Sequence, residues 1–152
     1  MHGFVFALSR WRPSKRTLVL PSGHKLVVSS RRGRVADLVV YLEAAPRPPP
    51  SGVTRLPPSI VVEVVSAAAK DVRRDRVDKL AEYAAFGVRW YWLVDPELRS
   101  FEILELGPDG RYVHAIAATS GRLERVPGCP GLVLDLDEAW DEVDAYLAEA
   151  AR

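Results

Sequence analysis

Two carboxylates in this sequence stand where carboxylates are costly. Asp37 lies near the start of the apolar run 35–42 (Val-Ala-Asp-Leu-Val-Val-Tyr-Leu), and Glu63 lies inside the run 60–65 (Ile-Val-Val-Glu-Val-Val). Runs this rich in β-branched residues read as buried strands. An ionised carboxylate removed from water costs several kcal/mol unless a partner holds it, so each acid calls for a cation. A hard divalent ion such as Mg²⁺ would hold both through oxygen. An arginine such as Arg34, Arg73 or Arg76 would instead hold either one in a buried salt bridge. The residues alone leave both readings open.

Lys79 and Tyr83 are the next candidates. Residues 72–86 read as a helix stopped by Gly87, and Arg76, Lys79 and Tyr83, three and four apart, line one of its faces. Lys79 can thus be carried toward the strand end that bears Glu63. Asp75, four residues before it, offers an ordinary surface partner as the alternative. Val77, Leu80, Ala81, Ala84 and Ala85 recur at helical spacing and predict the stripe that packs on a sheet. Residues 89–94 (Arg-Trp-Tyr-Trp-Leu-Val) then form a second buried strand ending in Asp95-Pro96, so the centre of the chain is strand, helix, strand.

Residues 4–8 read as a short first strand. The runs 17–20 and 25–28 flank Pro21-Ser22-Gly23-His24 and predict a hairpin. Residues 45–58 hold six of the twelve prolines, which excludes helix and central strand and predicts a stiff loop. A second hairpin is expected from 101–106 and 111–116 around Gly107-Pro108-Asp109-Gly110. A closing helix is expected over about 137–150, with Trp140, Val143, Leu147 and Ala150 on one side. The expected fold class is α/β (α+β): a mixed β-sheet flanked by helices, with an N-terminal β-hairpin region and a C-terminal helix, in one domain over 1–152.

With 48% hydrophobic and 27% charged residues the composition is that of a globular domain. No apolar run approaches the roughly eighteen residues of a membrane span, and no signal-peptide pattern opens the chain, so the expectation is a cytoplasmic protein without a membrane partner. The lone Cys129 excludes an internal disulfide and a multi-cysteine zinc site. Net charge is +1, yet residues 1–36 carry eight Lys or Arg and no acid, leaving −7 to the remainder. Such sorting suits a polyanion such as DNA, with Arg12, Arg16, Arg31, Arg32 and Arg34 as contacts; the alternative is a set of hairpin edges kept soluble by basic residues.

The order Asp37, Glu63, then Asp75-Arg76-Val77-Asp78-Lys79-Leu80-Ala81-Glu82-Tyr83 and Gly87-Val88-Arg89-Trp90-Tyr91-Trp92-Leu93-Val94-Asp95-Pro96 resembles the Uma2 family of restriction-type endonucleases. That family is assigned to the PD-(D/E)xK nuclease superfamily, and the resemblance runs from about Val35 to the C-terminus. It implies a restriction-endonuclease-like sheet, a Mg²⁺ or Mn²⁺ cofactor and DNA as substrate. Asp37 and Glu63 match the two motif acids and would hold the metal, with the Val64 carbonyl as third ligand. The superfamily lysine position is occupied by Val65, and the family's helix lysine aligns with Lys79, which would orient water or offset charge on the phosphate. Tyr83 would support by hydrogen bonding, Ser66 matches an accompanying position, and Arg76 joins the nucleic-acid contacts. Family members open with a longer helical segment bearing a Tyr-Glu-Leu-like motif, so this chain is expected either to be a shortened member or to have an incomplete site, with a homodimer covering the exposed sheet. The competing expectation is a non-catalytic nucleic-acid- or protein-binding module on the same fold.

Overall fold

The computed structural model describes residues 2–21, 24–50, 52–65 and 72–152. The Ser22-Gly23 turn, Ser66 and the side chains of Arg73 and Asp75 lie outside them. The chain opens with helix α1 (His2–Trp11), followed by β1 (Leu18–Pro21), β2 (Lys25–Ser29), β3 (Arg32–Val35) and β4 (Leu38–Tyr41). Next come β5 (Val53–Thr54), β6 (Ile60–Val64), helix α2 (Val72–Phe86), β7 (Trp90–Asp95), β8 (Ser100–Leu106) and β9 (Tyr112–Ala118). The short β10 (Arg122–Leu123) and β11 (Leu134–Asp135) lead into helix α3 (Leu136–Ala150).

Six strands form the main sheet in the order β1-β4-β6-β7-β8-β9. Within this sheet β6 and β7 are the parallel neighbours, and α2 makes the crossover between them, as parallel neighbours require. The sheet is therefore mixed. A three-stranded sheet, β3-β2-β5, and the β10-β11 pair complete the strands.

Strand alternation divides the core by face. Leu38, Val40, Ile60, Val62, Trp92, Val94, Phe101 and Ile103 point to one side, where Phe4 and Leu8 of α1 and Leu136, Ala139 and Trp140 of α3 cover them. Val39, Tyr41, Val61, Tyr91, Leu93 and Leu104 point to the other, against Tyr83 of α2 and Leu26 and Val28 of the small sheet. Among the described residues no helix is long and apolar enough to cross a membrane.

Several sequence expectations need correction. Residues 4–8 are helix: among the described residues of α1, Phe4 and Leu8, four apart, are the buried ones, and period four is a helical face. The strands at 18–21 and 25–29 are not hairpin partners: β1 pairs with β4, and the N-terminal hairpin is β2 with β3. Asp37 sits on a bend just before β4, since the run 35–42 is broken there rather than forming one strand. The proline-rich segment is loop except for the two-residue edge strand β5.

The stripe on α2 is also misassigned. Val77 is 64% exposed, and Ala81 and Ala85 are exposed too, whereas Tyr83 is fully buried with Leu80 and Phe86 partly so. One large aromatic outweighs three small side chains in area removed from water. Likewise only the first part of α3 packs: Trp140 is buried, while Leu147 and Ala150 are exposed.

The end of α2 fixes where Tyr83 stands. Gly87 has φ +95° and donates to Ala84 O at 3.1 Å, and Val88 donates to Tyr83 O at 3.0 Å. This is a Schellman closure, with Val88 and Tyr83 meeting in the same apolar cluster. A Cβ at Gly87 would have only Pro57 within 4 Å, at an ordinary 3.9 Å. Gly87→Ala should therefore lose about 1–2 kcal/mol from backbone conformation alone, read as a lowered urea midpoint with unchanged m-value.

Candidate active site

Strand pairing sets the two acids side by side. β4 and β6 are antiparallel with Leu38 opposite Val62, so one further step brings Asp37 level with Glu63 at the strand ends. Asp37 lies one step beyond the last paired residue of β4, near enough for its charge to act on Glu63. The Asp37 carboxylate accepts from the Val64 N–H at 2.8 Å, which takes the place of a ladder bond at the end of β6. In an extended strand the N–H and C=O of one residue lie on one edge, so the Val64 carbonyl also faces the Asp37 side.

Glu63 is 6% exposed. Tyr83 donates its hydroxyl to Glu63 Oε1 at 2.7 Å, and Lys79 Nζ lies 3.4 Å from Oε2. The Glu63 pKa is raised from 4.5, chiefly by burial and further by the Asp37 charge, while Tyr83 and Lys79 oppose the shift. Burial also drives the Tyr83 hydroxyl far upward, with the Glu63 charge adding to it, so this phenol is a donor at any ordinary pH. Its ring meets Tyr91 edge-on at 5.2 Å, which limits rotation.

Of the residues singled out from sequence, Asp37, Glu63, Val64, Lys79 and Tyr83 come together. Arg34 and Arg76, offered as salt-bridge partners for the acids, pair elsewhere. Arg34 Nε lies 2.6 Å from Glu82 Oε2, with Arg32 Nη1 2.8 Å from the other oxygen, and Arg76 Nη2 lies 2.9 Å from Glu102 Oε2. The two guanidinium groups hold the Glu82 carboxyl below its usual range, Arg34 contributing most. Arg31 is exposed at the β2–β3 turn. Arg12 and Arg16 are exposed between α1 and β1, beyond the end of the sheet where Leu18 faces Tyr41. That end is four residues along β4 from Asp37, about 13 Å.

Glu82 and Glu102 were missed by the sequence reading. The available signal for Glu102 was that it shares the face of Leu104 in β8. Leu104 is buried under α2.

Among the described residues no cluster of three or more His, Cys, Asp or Glu side chains could hold a metal. Two carboxylates and one carbonyl, all hard oxygen donors, nonetheless fit Mg²⁺ or Mn²⁺, since Mg²⁺ takes one or two carboxylates and keeps several waters. Cys129 is buried, its thiol pushed up to about 12 by desolvation, which leaves it unreactive.

These contacts set a pH signature. A raised Glu63 pKa means that the folded state holds the proton longer. The burden of the charged form is absent below the unfolded value near 4.5 and grows as pH rises from there through the folded value. Glu63→Gln should therefore be as stable as the parent at pH 7 or about 1 kcal/mol more so, with no gain at pH 4. Tyr83→Phe removes the hydroxyl that satisfies the buried charge and should lose about 1–3 kcal/mol at pH 7. It should lose less at pH 4. Thermal melts of three proteins at two pH values check both.

No curated protein matches the chain. Among solved structures, the crystal structure of a putative nuclease belonging to DUF820 from Anabaena variabilis ATCC 29413 is similar in fold, with TM-score 0.66 and 12% identity over 91% of this chain and 76% of that one. The family model described as "Putative restriction endonuclease", Uma2, matches residues 3–137. With nearly the whole chain matched, this protein belongs to the Uma2 family.

Proposed function

We propose that the protein is a metal-dependent endonuclease that hydrolyses phosphodiester bonds in DNA. The carrying observation is the paired acids at adjacent strand ends, one of them buried and faced by a lysine from the crossover helix. Membership in the family supports nuclease chemistry in general; the metal, the DNA and the residue roles are this reading's own.

Asp37, Glu63 and the Val64 carbonyl would hold Mg²⁺ or Mn²⁺. When bound, such an ion polarises the phosphate and lowers the pKa of a coordinated water. Asp37 is kept in place by the Val64 N–H, and Glu63 by the Tyr83 hydroxyl. Lys79 bears on Glu63 and is a quarter exposed, so its ammonium can also face a phosphate oxygen, where it would offset charge that grows in the transition state. Arg31, Arg32, Arg34 and Arg76 lie on the elements around this site. Arg12 and Arg16 lie beyond the far end of β1, so a duplex meeting both groups spans about four base pairs or more at 3.4 Å each. A cytoplasmic location and a homodimer belong to the same reading.

The test is a nicking assay on plasmid and linear DNA with Mn²⁺, and with EDTA, comparing the parent with Asp37→Asn and Lys79→Ala. Either variant should lose about a hundredfold or more in rate. Mn²⁺ should also raise the parent's melting temperature and leave that of Asp37→Asn unchanged. A parent protein that neither cleaves nor responds to Mn²⁺ would favour the binding-module alternative.

Removing two arginines tests the DNA surface separately. Arg31→Ala with Arg32→Ala should flatten the salt dependence of binding by about 0.9 per lost phosphate contact. A slope identical to the parent's would remove both residues from the interface.

A further inference from the structure

The face of the main sheet beneath α2 carries a second acid with its own cation. Register places Glu63 opposite Leu93, Leu93 opposite Glu102 and Glu102 opposite Ala117. Residues in such a row share a face, so Glu63 and Glu102 stand on the same side two strands apart, about 10 Å. α2 sets one basic group on each. Lys79 faces Glu63, and Arg76, three residues earlier, donates to Glu102 Oε2 at 2.9 Å.

The other oxygen of Glu102 meets His114 Nε2 of β9 at 3.0 Å. Glu102 is thereby fixed from both sides. Its side chain is mostly covered, whereas 40% of Arg76 and 64% of His114 remain exposed. Tyr91 lies within electrostatic reach of both centres, since the charges of Glu63 and Arg76 both act on its buried hydroxyl.

A guanidinium has five donors in a planar fork, and Nη2 of Arg76 is engaged with Glu102. Half in water and oriented by a carboxylate that cannot swing, the fork is suited to take two oxygens of an anion.

We propose that Arg76 binds a second backbone phosphate on the strand held at the Glu63 site, and that Glu102, steadied by His114, is the positioning residue that aims its fork. The choice of DNA as ligand rests on the nuclease reading. At 3.4 Å of rise per nucleotide, the 10 Å offset corresponds to about three nucleotides along the strand.

The experiment is equilibrium binding of a double-stranded oligonucleotide in EDTA over a salt series, with the full chain. The variants are Arg76→Ala, Arg76→Lys, Glu102→Gln, His114→Ala and the Arg76→Ala/Glu102→Gln pair, each first checked by thermal melt. Arg76→Ala should weaken binding about tenfold, the scale of one charged hydrogen-bonded contact, and lower the salt slope by about 0.9. Arg76→Lys should keep the slope and still bind several-fold more weakly.

Glu102→Gln gives the reading that a merely structural or long-range role would not. Removing an acid should strengthen attraction to a polyanion, so weaker binding identifies positioning, and that loss should vanish in the Arg76→Ala background. His114→Ala should reproduce it in smaller measure.

Tighter binding by Glu102→Gln, an effect that persists without Arg76, or an Arg76→Ala that binds like the parent overturns the proposal. So does a parent that binds no DNA. Cleavage is scored apart. A parent that cuts DNA while Arg76→Ala binds normally leaves the nuclease reading standing and this inference fallen. A parent that binds through Arg76 but never cuts does the reverse.

Discussion

The Glu63 carboxylate, almost wholly removed from water, is the constraint to which the α2 side of the fold answers. Its burial is opposed by two groups from one helix, a phenol at 2.7 Å and an ammonium at 3.4 Å. The phenol is the more exacting partner, because a buried hydroxyl must sit within tenths of an ångström to satisfy the charge. Its placement depends on the Schellman closure at Gly87, on the Val88 contact and on the Tyr91 ring. Tyr91 is in turn anchored in β7, the strand beside Glu63. The loop closes on itself: strand, helix end and next strand position one another around one charge.

The opposite face of the sheet carries no comparable burden. Phe4, Phe101, Trp92 and Trp140 meet there in stacked and edge-on pairs 5.4–6.4 Å apart, and the indoles of Trp11 and Trp140 donate to the carbonyls of Pro130 and Thr119. Trp92 Nε1 is the exception among the described residues, buried with no partner. An apolar, close-packed layer of this kind resists shear. The strand ends bearing Asp37 and Glu63 are thus held from behind by packing and from in front by hydrogen bonds.

The strand–helix–strand centre was legible because its apolar runs are long and its punctuation strong. Val72 to Phe86 was read to the residue, with Gly87 as its stop, and the Gly107–Gly110 hairpin and the start of α3 nearly so. Glu63 was legible for a physical reason, since an acid among β-branched residues has few uses. What failed was orientation. Residues 4–8 form a five-residue apolar run, and strand and helix cannot be told apart at that length. The α2 stripe was chosen by counting apolar positions, which ranks three alanines above a tyrosine. Burial ranks them the other way. Pairing was the other loss: β1 skips its sequence neighbour to join β4, and Arg34–Glu82 and Arg76–Glu102 join residues 48 and 26 apart in sequence.

Those partners alter what the sorted charge of the chain means. Eight basic residues before the first acid suggest an open positive surface. In the folded protein Arg32 and Arg34 share Glu82, and Arg76 and Lys79 face Glu102 and Glu63, so these four cations already have carboxylates against them. Long-range attraction from this region is correspondingly small, in keeping with a net charge of only +1. An approaching phosphate would gain little until it came close enough to share a guanidinium or ammonium already held in place. The preset pairs lower the ordering cost at that moment, because the side chains have lost their freedom beforehand. A lysine has three donors and an arginine five, so one contact with a carboxylate does not exhaust Lys79 or Arg76. A site built in this way discriminates at contact range, by the fit of oxygens to fixed donors, rather than by the strength of its field.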